Sequence, residues 1–137
     1  MLFPKKVKYR KWQRLRGNEN RVASRGTTIA FGSVGLQAED AAEVDSRQIE
    51  AARKAITRFV QKGGKLWIRI FPDKPITQKP PEVGMGKGKG DPSKYVAEVG
   101  RGRILFEVDG ISEQDARTAL RRAGAKLPMR TKVVFRD

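Results

Sequence analysis

The chain has 137 residues, enough for one domain with a buried core, and its composition is strongly basic. The 30 Lys and Arg residues outnumber 15 Asp and Glu residues, so the net charge is +15 and polyanions are the expected partners. The sequence contains neither Cys nor His, which excludes disulfides, the usual zinc sites, thiol nucleophiles and Ser-His-Asp catalysis. Because no apolar run is long enough to cross a bilayer and the N-terminus lacks a secretory pattern, we expect a cytoplasmic protein.

Residues 1–26 show neither helical nor strand periodicity, and Glu19 is their only acid. We interpret them as an extended basic arm, followed by a single α+β RNA-binding domain at residues 27–137. Aromatic residues lie between the cations of the arm, where Trp12 would either stack on RNA bases or anchor the arm to the domain. The arm residues predicted to bind RNA are Lys5, Lys6, Lys8, Tyr9, Arg10, Lys11, Arg14, Arg16, Arg21 and Arg25.

A β-prone stretch at residues 27–38 comes next, with Gly32 and Gly35 indicating a hairpin or a bulge. Four acidic residues then predict a short acidic loop, away from any polyanion. They are Glu39, Asp40, Glu43 and Asp45.

The first helix is predicted to begin at Asp45 or Ser46, with Gln48 in the capping-box position, and to end at Gly63-Gly64. Its apolar residues recur at helical spacing and predict one buried stripe. The stripe consists of Ile49, Ala52, Ile56, Phe59 and Val60. The cations of this helix would either face solvent or contact nucleic acid, and with this net charge we favour contact by Arg47, Lys54, Arg58 and Lys62.

Residues 65–71 alternate as a strand, with Leu66 and Ile68 on one face and Trp67 and Arg69 on the other. The prolines between positions 72 and 81 then predict a long irregular segment that reaches Gly90. It ends in Met85-Gly-Lys-Gly-Lys-Gly90, which is either a flexible linker or a loop that brings its N–H groups and two lysines to a phosphate chain. This run fits neither the Walker nor the dinucleotide glycine pattern, so we expect no nucleotide cofactor.

Residues 95–99 and 103–108 are predicted to form a hairpin around Gly100-Arg-Gly102. A second helix runs from its cap Ser112 to Gly124, and residues 131–135 form a last strand. This order predicts an α+β sandwich, with two helices on a mostly antiparallel sheet. Residues 117–136 carry no acid, and their predicted RNA-binding residues are Arg121, Arg122, Lys126, Arg130 and Lys132.

Three functions fit these features. Separated basic elements favour a protein that binds a folded RNA. A general basic chaperone or nucleoid-type binder would carry the same charge without a defined site. A metal-dependent nuclease would need Asp73, Glu107 or Asp109 around Mg²⁺, but no third ligand signal accompanies the pair on one strand face. We therefore expect no catalytic residue, no metal and no enzyme activity.

Several segments together resemble the bacterial large-subunit ribosomal protein sixteen family over nearly the whole chain. They are Met1-Leu-Phe-Pro-Lys-Lys6, Ile29-Ala-Phe-Gly32, Ser46-Arg-Gln-Ile-Glu-Ala-Ala-Arg53, Gly63-Gly-Lys-Leu-Trp-Ile-Arg-Ile-Phe-Pro-Asp-Lys-Pro-Ile-Thr77, Met85-Gly-Lys-Gly-Lys-Gly90 and Lys126-Leu-Pro-Met-Arg-Thr-Lys132. The resemblance implies a hammerhead-type α+β fold and a structural place in the large ribosomal subunit. It also implies that the protein is a monomer there, beside neighbouring ribosomal proteins and bound to ribosomal RNA near the peptidyl-transferase region.

The resemblance further implies contact with transfer RNA in the A site, and with P-site transfer RNA as a second expectation. It assigns this contact to the arm from Lys5 to Arg16 and to the Gly-Lys segment. The residues of that segment are Met85, Gly86, Lys87, Gly88, Lys89 and Gly90. Gly84 stands where the family usually has Arg, which removes one cation from the segment.

Overall fold

Seven strands and two helices make up the part of the chain that the computed structural model describes, residues 22–60, 63–77 and 92–136. In chain order they are β1 Val34–Ala38, β2 Ala42–Asp45, α1 Ser46–Thr57, β3 Lys65–Ile68, β4 Lys74–Thr77, β5 Pro92–Val99, β6 Ile104–Asp109, α2 Glu113–Gly124 and β7 Thr131–Phe135. The helices pack on antiparallel strands, so the predicted α+β class is confirmed.

The strands form two antiparallel sheets, one in the order β3-β6-β1-β7 and the other in the order β2-β5-β4. The predicted hairpin of residues 95–99 with 103–108 is therefore wrong, since β5 and β6 are central strands of different sheets. The chain passes from one sheet to the other after β1, β2, β3 and β5. Gly102 lies between β5 and β6 with φ +96° and donates its N–H to the carbonyl of Ala38, 2.8 Å away.

The proline-rich stretch contains a strand that the sequence did not predict. Residues 74–77 form β4, although Pro75 lies within it. Among the described strands β4 pairs with β5 alone, so it is an edge strand, one of its sides needs no ladder hydrogen bonds and proline is tolerated. The expectation that this stretch is irregular throughout is therefore wrong for residues 74–77.

Residues 27–33 do not form the strand that their composition predicted, and the regular strand begins at Val34. The backbone N–H groups of Ala30, Phe31 and Gly32 instead donate to the carboxylate of Glu107. A Cβ on Gly32 would lie 2.6 Å from the Val108 carbonyl oxygen, so this close approach to β6 requires glycine.

Helix α1 begins as predicted, with Asp45 and Gln48 in a reciprocal capping box. It ends at Thr57, earlier than the glycine pair suggested, because a tighter turn follows in which the N–H of Phe59 bonds to the carbonyl of Ile56 at 2.9 Å. Its predicted apolar stripe faces the core.

Helix α2 packs on β1, β6 and β7, while α1 contacts β2, β3 and β5 and also packs on α2. The small residues Ala116, Ala119 and Ala123 have no exposed surface, which allows this close packing. A Cβ on Gly124 would lie 2.3 Å from Thr131 Oγ1, so glycine at the end of α2 gives β7 its close approach.

The last residues of the predicted arm lie along the described fold. Val22 forms an isolated parallel bridge with Arg101, and Ala23 donates its N–H to the Arg101 carbonyl at 2.9 Å. A Cβ on Gly100 would lie 2.7 Å from the nitrogen of Ala23. Residues 1–21 lie outside the described residues, so the boundary between arm and domain stays a prediction.

Candidate nucleic-acid interface

The ends of the two helices bring three predicted RNA-binding residues together. Arg58 follows the end of α1, while Arg122 lies in the last turn of α2 and Lys126 just beyond it, and all three are exposed. With Ala55 and Ala125 they line a cavity of about 200 Å³, which we name the helix-end groove. Its two alanines are small, so the three cations surround a recess of this size.

Arg122 is held in the helix-end groove by an aromatic contact. Its guanidinium carbon lies 5.1 Å from the centroid of the Phe59 ring, within the range of a cation–π interaction. The contact orients the charge without neutralising it, so the guanidinium keeps its attraction for a phosphate.

A second basic site lies at the ends of β1 and β7. A cavity of about 410 Å³, which we name the strand-end cleft, is lined by Gln37, Ala38, Glu39, Arg101, Gly102, Arg130 and Lys132. Arg130 and Lys132 were predicted from the sequence. Arg101 was not, because Gly100-Arg-Gly102 was assigned to a hairpin turn; the crossing between sheets carries it to the cleft instead.

Arg130 is already engaged by an acid of the same chain. Its Nη2 and Nε donate to the carboxylate of Asp40 at 2.9 and 3.0 Å, and its backbone N–H donates to the same group at 3.2 Å. These hydrogen bonds, the side-chain bond first, lower the pKa of Asp40 to about 2. The charge that Arg130 offers to a polyanion is therefore partly compensated, whereas no acid within residues 22–60, 63–77 and 92–136 forms an ion pair with the cations of the helix-end groove.

The predicted acidic loop is wrong in part, because Glu43 and Asp45 belong to strand β2. Their carboxylates face cations of the other two strands of the same sheet: Lys74 lies 3.2 Å from Glu43, and Lys94 lies 3.7 Å from Asp45. Lys74 is 2% exposed and also pairs with Glu98, so these acids hold the three-stranded sheet together.

The other predicted cations are more scattered. Arg25, Arg47, Lys54 and Arg121 are exposed but line neither the helix-end groove nor the strand-end cleft. The remaining predicted site residues lie outside the described residues. They are Lys5, Lys6, Lys8, Tyr9, Arg10, Lys11, Arg14, Arg16, Arg21, Lys62, Met85, Gly86, Lys87, Gly88, Lys89 and Gly90.

Two of the three acids of the nuclease hypothesis, Glu107 and Asp109, have structural partners, and the third, Asp73, is exposed. Glu107 is fully buried and accepts hydrogen bonds from three backbone N–H groups and from Arg69. Asp109 is exposed and accepts from Ser33 Oγ at 3.1 Å and from Gly110 N at 2.8 Å. Over residues 22–60, 63–77 and 92–136, no three acidic side chains are grouped so that they could hold a metal ion.

Two basic recesses on a small α+β body define a class of protein that binds a structured polyanion through phosphate contacts. Neither helix of the described part is long and apolar enough to cross a membrane. The family model described as ribosomal protein L16p/L10e matches residues 4–134, and the chain belongs to this family. The resemblance drawn from the sequence motifs is thus confirmed. The protein is a structural component of the large ribosomal subunit, binds ribosomal RNA and assembles with other ribosomal proteins.

Proposed function

We propose that this protein, within the large subunit, contacts transfer RNA in the A site through the Gly-Lys segment Met85–Gly90, and extends this contact toward the P site. The arm from Lys5 to Arg16 contributes to the same contact, near the peptidyl-transferase region. The protein positions RNA and catalyses no reaction itself. The helix-end groove and the strand-end cleft hold the protein on ribosomal RNA.

One observation carries the transfer RNA proposal. Strands β4 and β5 are paired, with Thr77 opposite Pro92, so the segment that contains the Gly-Lys run starts and ends at one point of the three-stranded sheet. Lys74, buried between Glu43 and Glu98, ties the first of these strands into the sheet. A run of alternating Gly and Lys on such an anchored base can carry two cations to a phosphate backbone.

The proposal is tested with ribosomes that carry Lys87→Gln with Lys89→Gln. We expect these large subunits to keep the protein through a high-salt wash, while accommodation of A-site transfer RNA slows roughly tenfold, since one charge-assisted hydrogen bond contributes about 1.5 kcal/mol. The measurements are protein occupancy in sedimented subunits and the rate of accommodation by rapid mixing.

The matched control is Lys54→Gln with Lys65→Gln, which removes the same charge at two exposed positions that line neither the helix-end groove nor the strand-end cleft. We expect this control to leave accommodation unchanged in subunits that retain it. Equal loss of occupancy and accommodation in the Lys87 and Lys89 variant would instead make the Gly-Lys segment an anchor on ribosomal RNA.

A further inference from the structure

An aromatic ring stands exposed on the outer face of the four-stranded sheet. Phe31 is 55% exposed, although Trp67 and Arg69 of the β3 region lie against it. The ring centroids of Phe31 and Trp67 are 6.1 Å apart with planes 19° from parallel, and the Arg69 guanidinium carbon is 5.1 Å from the Phe31 centroid. With these two neighbours in place, more than half of the Phe31 surface is still open to solvent.

The backbone that carries Phe31 is tightly held. Its N–H and that of Gly32 each donate to Glu107 Oε1 at 2.7 Å, and the N–H of Ser33 donates to the Val108 carbonyl at 3.0 Å. From the other side, the Arg136 guanidinium donates to the Ala30 carbonyl at 3.1 Å. The fold therefore already orders the segment that carries the ring. Stacking of a ligand on Phe31 then costs little additional conformational entropy of the protein.

Phe31 lies above a row of residues on the outer face of the four-stranded sheet. Trp67, Glu107 and Gly35 form this row across β3, β6 and β1, on the face opposite the core residues Phe106 and Leu36. Segment 29–32 covers the buried Glu107 and Gly35, while Trp67 stays half-buried against Phe31. Phe31 itself keeps more than half of its surface exposed.

We propose that Phe31 is a stacking platform for one unpaired nucleobase of the large-subunit ribosomal RNA. Single-stranded bases stack on exposed aromatic rings, and sequence-tolerant platforms of this kind are common in RNA-binding proteins. The Arg136 guanidinium, which bonds to the carbonyls of Ala30 and Gly32 on either side of Phe31, suits a phosphate that flanks such a base, while Arg69 lies over the ring and pairs with Glu107. The nearby acids are Glu107, which is buried, and Asp109, which bonds to Ser33 and Gly110.

This inference rests on the ribosomal RNA binding described above and adds a named contact to it. The charge around Phe31 favours a nucleotide over the apolar surface of a neighbouring protein, because an apolar partner would have to cover the Arg136 guanidinium, which bonds to the carbonyls of Ala30 and Gly32 and to no carboxylate of the described residues. A contact with a neighbouring ribosomal protein is the competing outcome of the test.

The experiment compares large subunits that carry Phe31→Ala, Phe31→Leu or Phe31→Trp, with chemical probing of base and 2′-hydroxyl reactivity along the ribosomal RNA. We expect one short unpaired stretch to become more reactive with Ala and with Leu, and to stay protected with Trp, which restores a planar ring. Alanine should lower the stacking equilibrium by about 5- to 160-fold, the range known for base-stacking aromatic residues.

The matched control is Phe135→Leu. Phe135 is also exposed, at 37%, but it lies on β7 at the opposite edge of the sheet, and Arg117 stands 4.5 Å from its ring centroid. This variant should leave the stretch that depends on Phe31 protected.

A photoreactive benzoylphenylalanine at position 31 identifies the partner directly in assembled wild-type-like subunits. A crosslink to a nucleotide of the reactive stretch supports the platform. A crosslink to protein alone, or unchanged RNA reactivity in the Ala and Leu variants, overturns it. The underlying claim that the protein binds ribosomal RNA has a separate test. It would be contradicted if the wild-type protein were lost from salt-washed large subunits.

Discussion

Glu107 shows how one side chain determines the outer face of this protein. Burial alone would raise the pKa of its carboxyl group, but hydrogen bonds from the N–H groups of Gly32 and Phe31, from the side chain of Arg69 and from the N–H of Ala30 outweigh it and lower the pKa. The carboxylate is therefore ionised where it is buried, and it fixes the segment that carries Phe31. A residue that the sequence offered as a metal ligand is thus a structural anchor.

Replacing Glu107 with Gln should destabilise the protein by about 2–4 kcal/mol at pH 7, because an amide group would face three N–H donors and leave Arg69 without its carboxylate. Urea unfolding of the full chain measures this. Asp109→Asn, two residues along the strand and exposed, is the control and should change stability by less than about 0.5 kcal/mol.

The same variant has a defined pH dependence. Since the folded pKa of Glu107 lies below its ordinary value of 4.5, its contribution is fully present above that pH and is lost as the pH falls through the folded pKa. The stability gap between wild type and Glu107→Gln should therefore narrow in acid. A gap that stays constant from pH 7 to pH 3 would show that the carboxylate charge contributes nothing.

At the residue scale, the sequence predicted side-chain faces better than it predicted partners. Alternation on β3 correctly separated Leu66 and Ile68 from Trp67 and Arg69. That Arg69 would pair with Glu107, 38 positions away, could not be predicted, because the pairing depends on β3 and β6 being neighbours in one sheet. Arg101 was missed for a similar reason, since its location depends on the chain crossing between sheets.

At the scale of elements, the junction of α2 and β7 depends on the absence of one methyl group. Gly124→Ala would normally stabilise a helix, by up to about 1 kcal/mol. Here the new Cβ would meet Thr131 Oγ1 at 2.3 Å, so we expect the variant to lose about 1 kcal/mol or more instead. Thermal or urea unfolding of the variant and the wild type shows whether the substitution raises or lowers the free energy of unfolding.

A second substitution separates the clash from other effects. Thr131→Ala removes the hydroxyl and leaves the Thr131 Cβ position at 3.6 Å, an ordinary contact. The double variant should therefore recover the helix propensity of alanine and be more stable than Gly124→Ala alone. If Thr131→Ala does not rescue stability, the close approach of β7 to α2 is not the reason for the glycine.

Local sequence signals predicted an element boundary correctly where residues within one turn determine it. The Asp45 capping box and the Ser112 cap gave both helix starts, since each needs only residues within one turn. The hairpin of β5 with β6 and the irregular stretch over β4 were wrong because each depended on distant partners. Glycines at 100 and 102 serve a crossing between sheets as well as they serve a hairpin, and Pro75 is tolerated because β4 is an edge strand.

At the scale of the whole molecule, a net charge of +15 is organised rather than spread evenly. Three cations meet at the helix-end groove, although the first, Arg58, and the last, Lys126, are 68 positions apart in the sequence. The sequence predicted RNA binding for each of these residues, but only the packing of α1 on α2 brings them together. At the strand-end cleft the same charge is partly compensated by Asp40.

This organisation predicts how RNA binding responds to salt. Binding of the protein to large-subunit ribosomal RNA should weaken linearly on a plot of log affinity against log salt, with a slope of about 0.7–0.9 for each phosphate contacted. Neutralising Arg58, Arg122 and Lys126 together with Gln should reduce that slope by about 2–3, because each faces the same recess. Arg130→Gln should reduce it by less than about 1, since Asp40 already shares its charge.

The control removes an equal charge at Arg47, Lys54 and Arg121, which are exposed but line neither cavity. If the control lowers the slope as much as the groove variant, the total charge of the protein, and not the groove, determines its affinity.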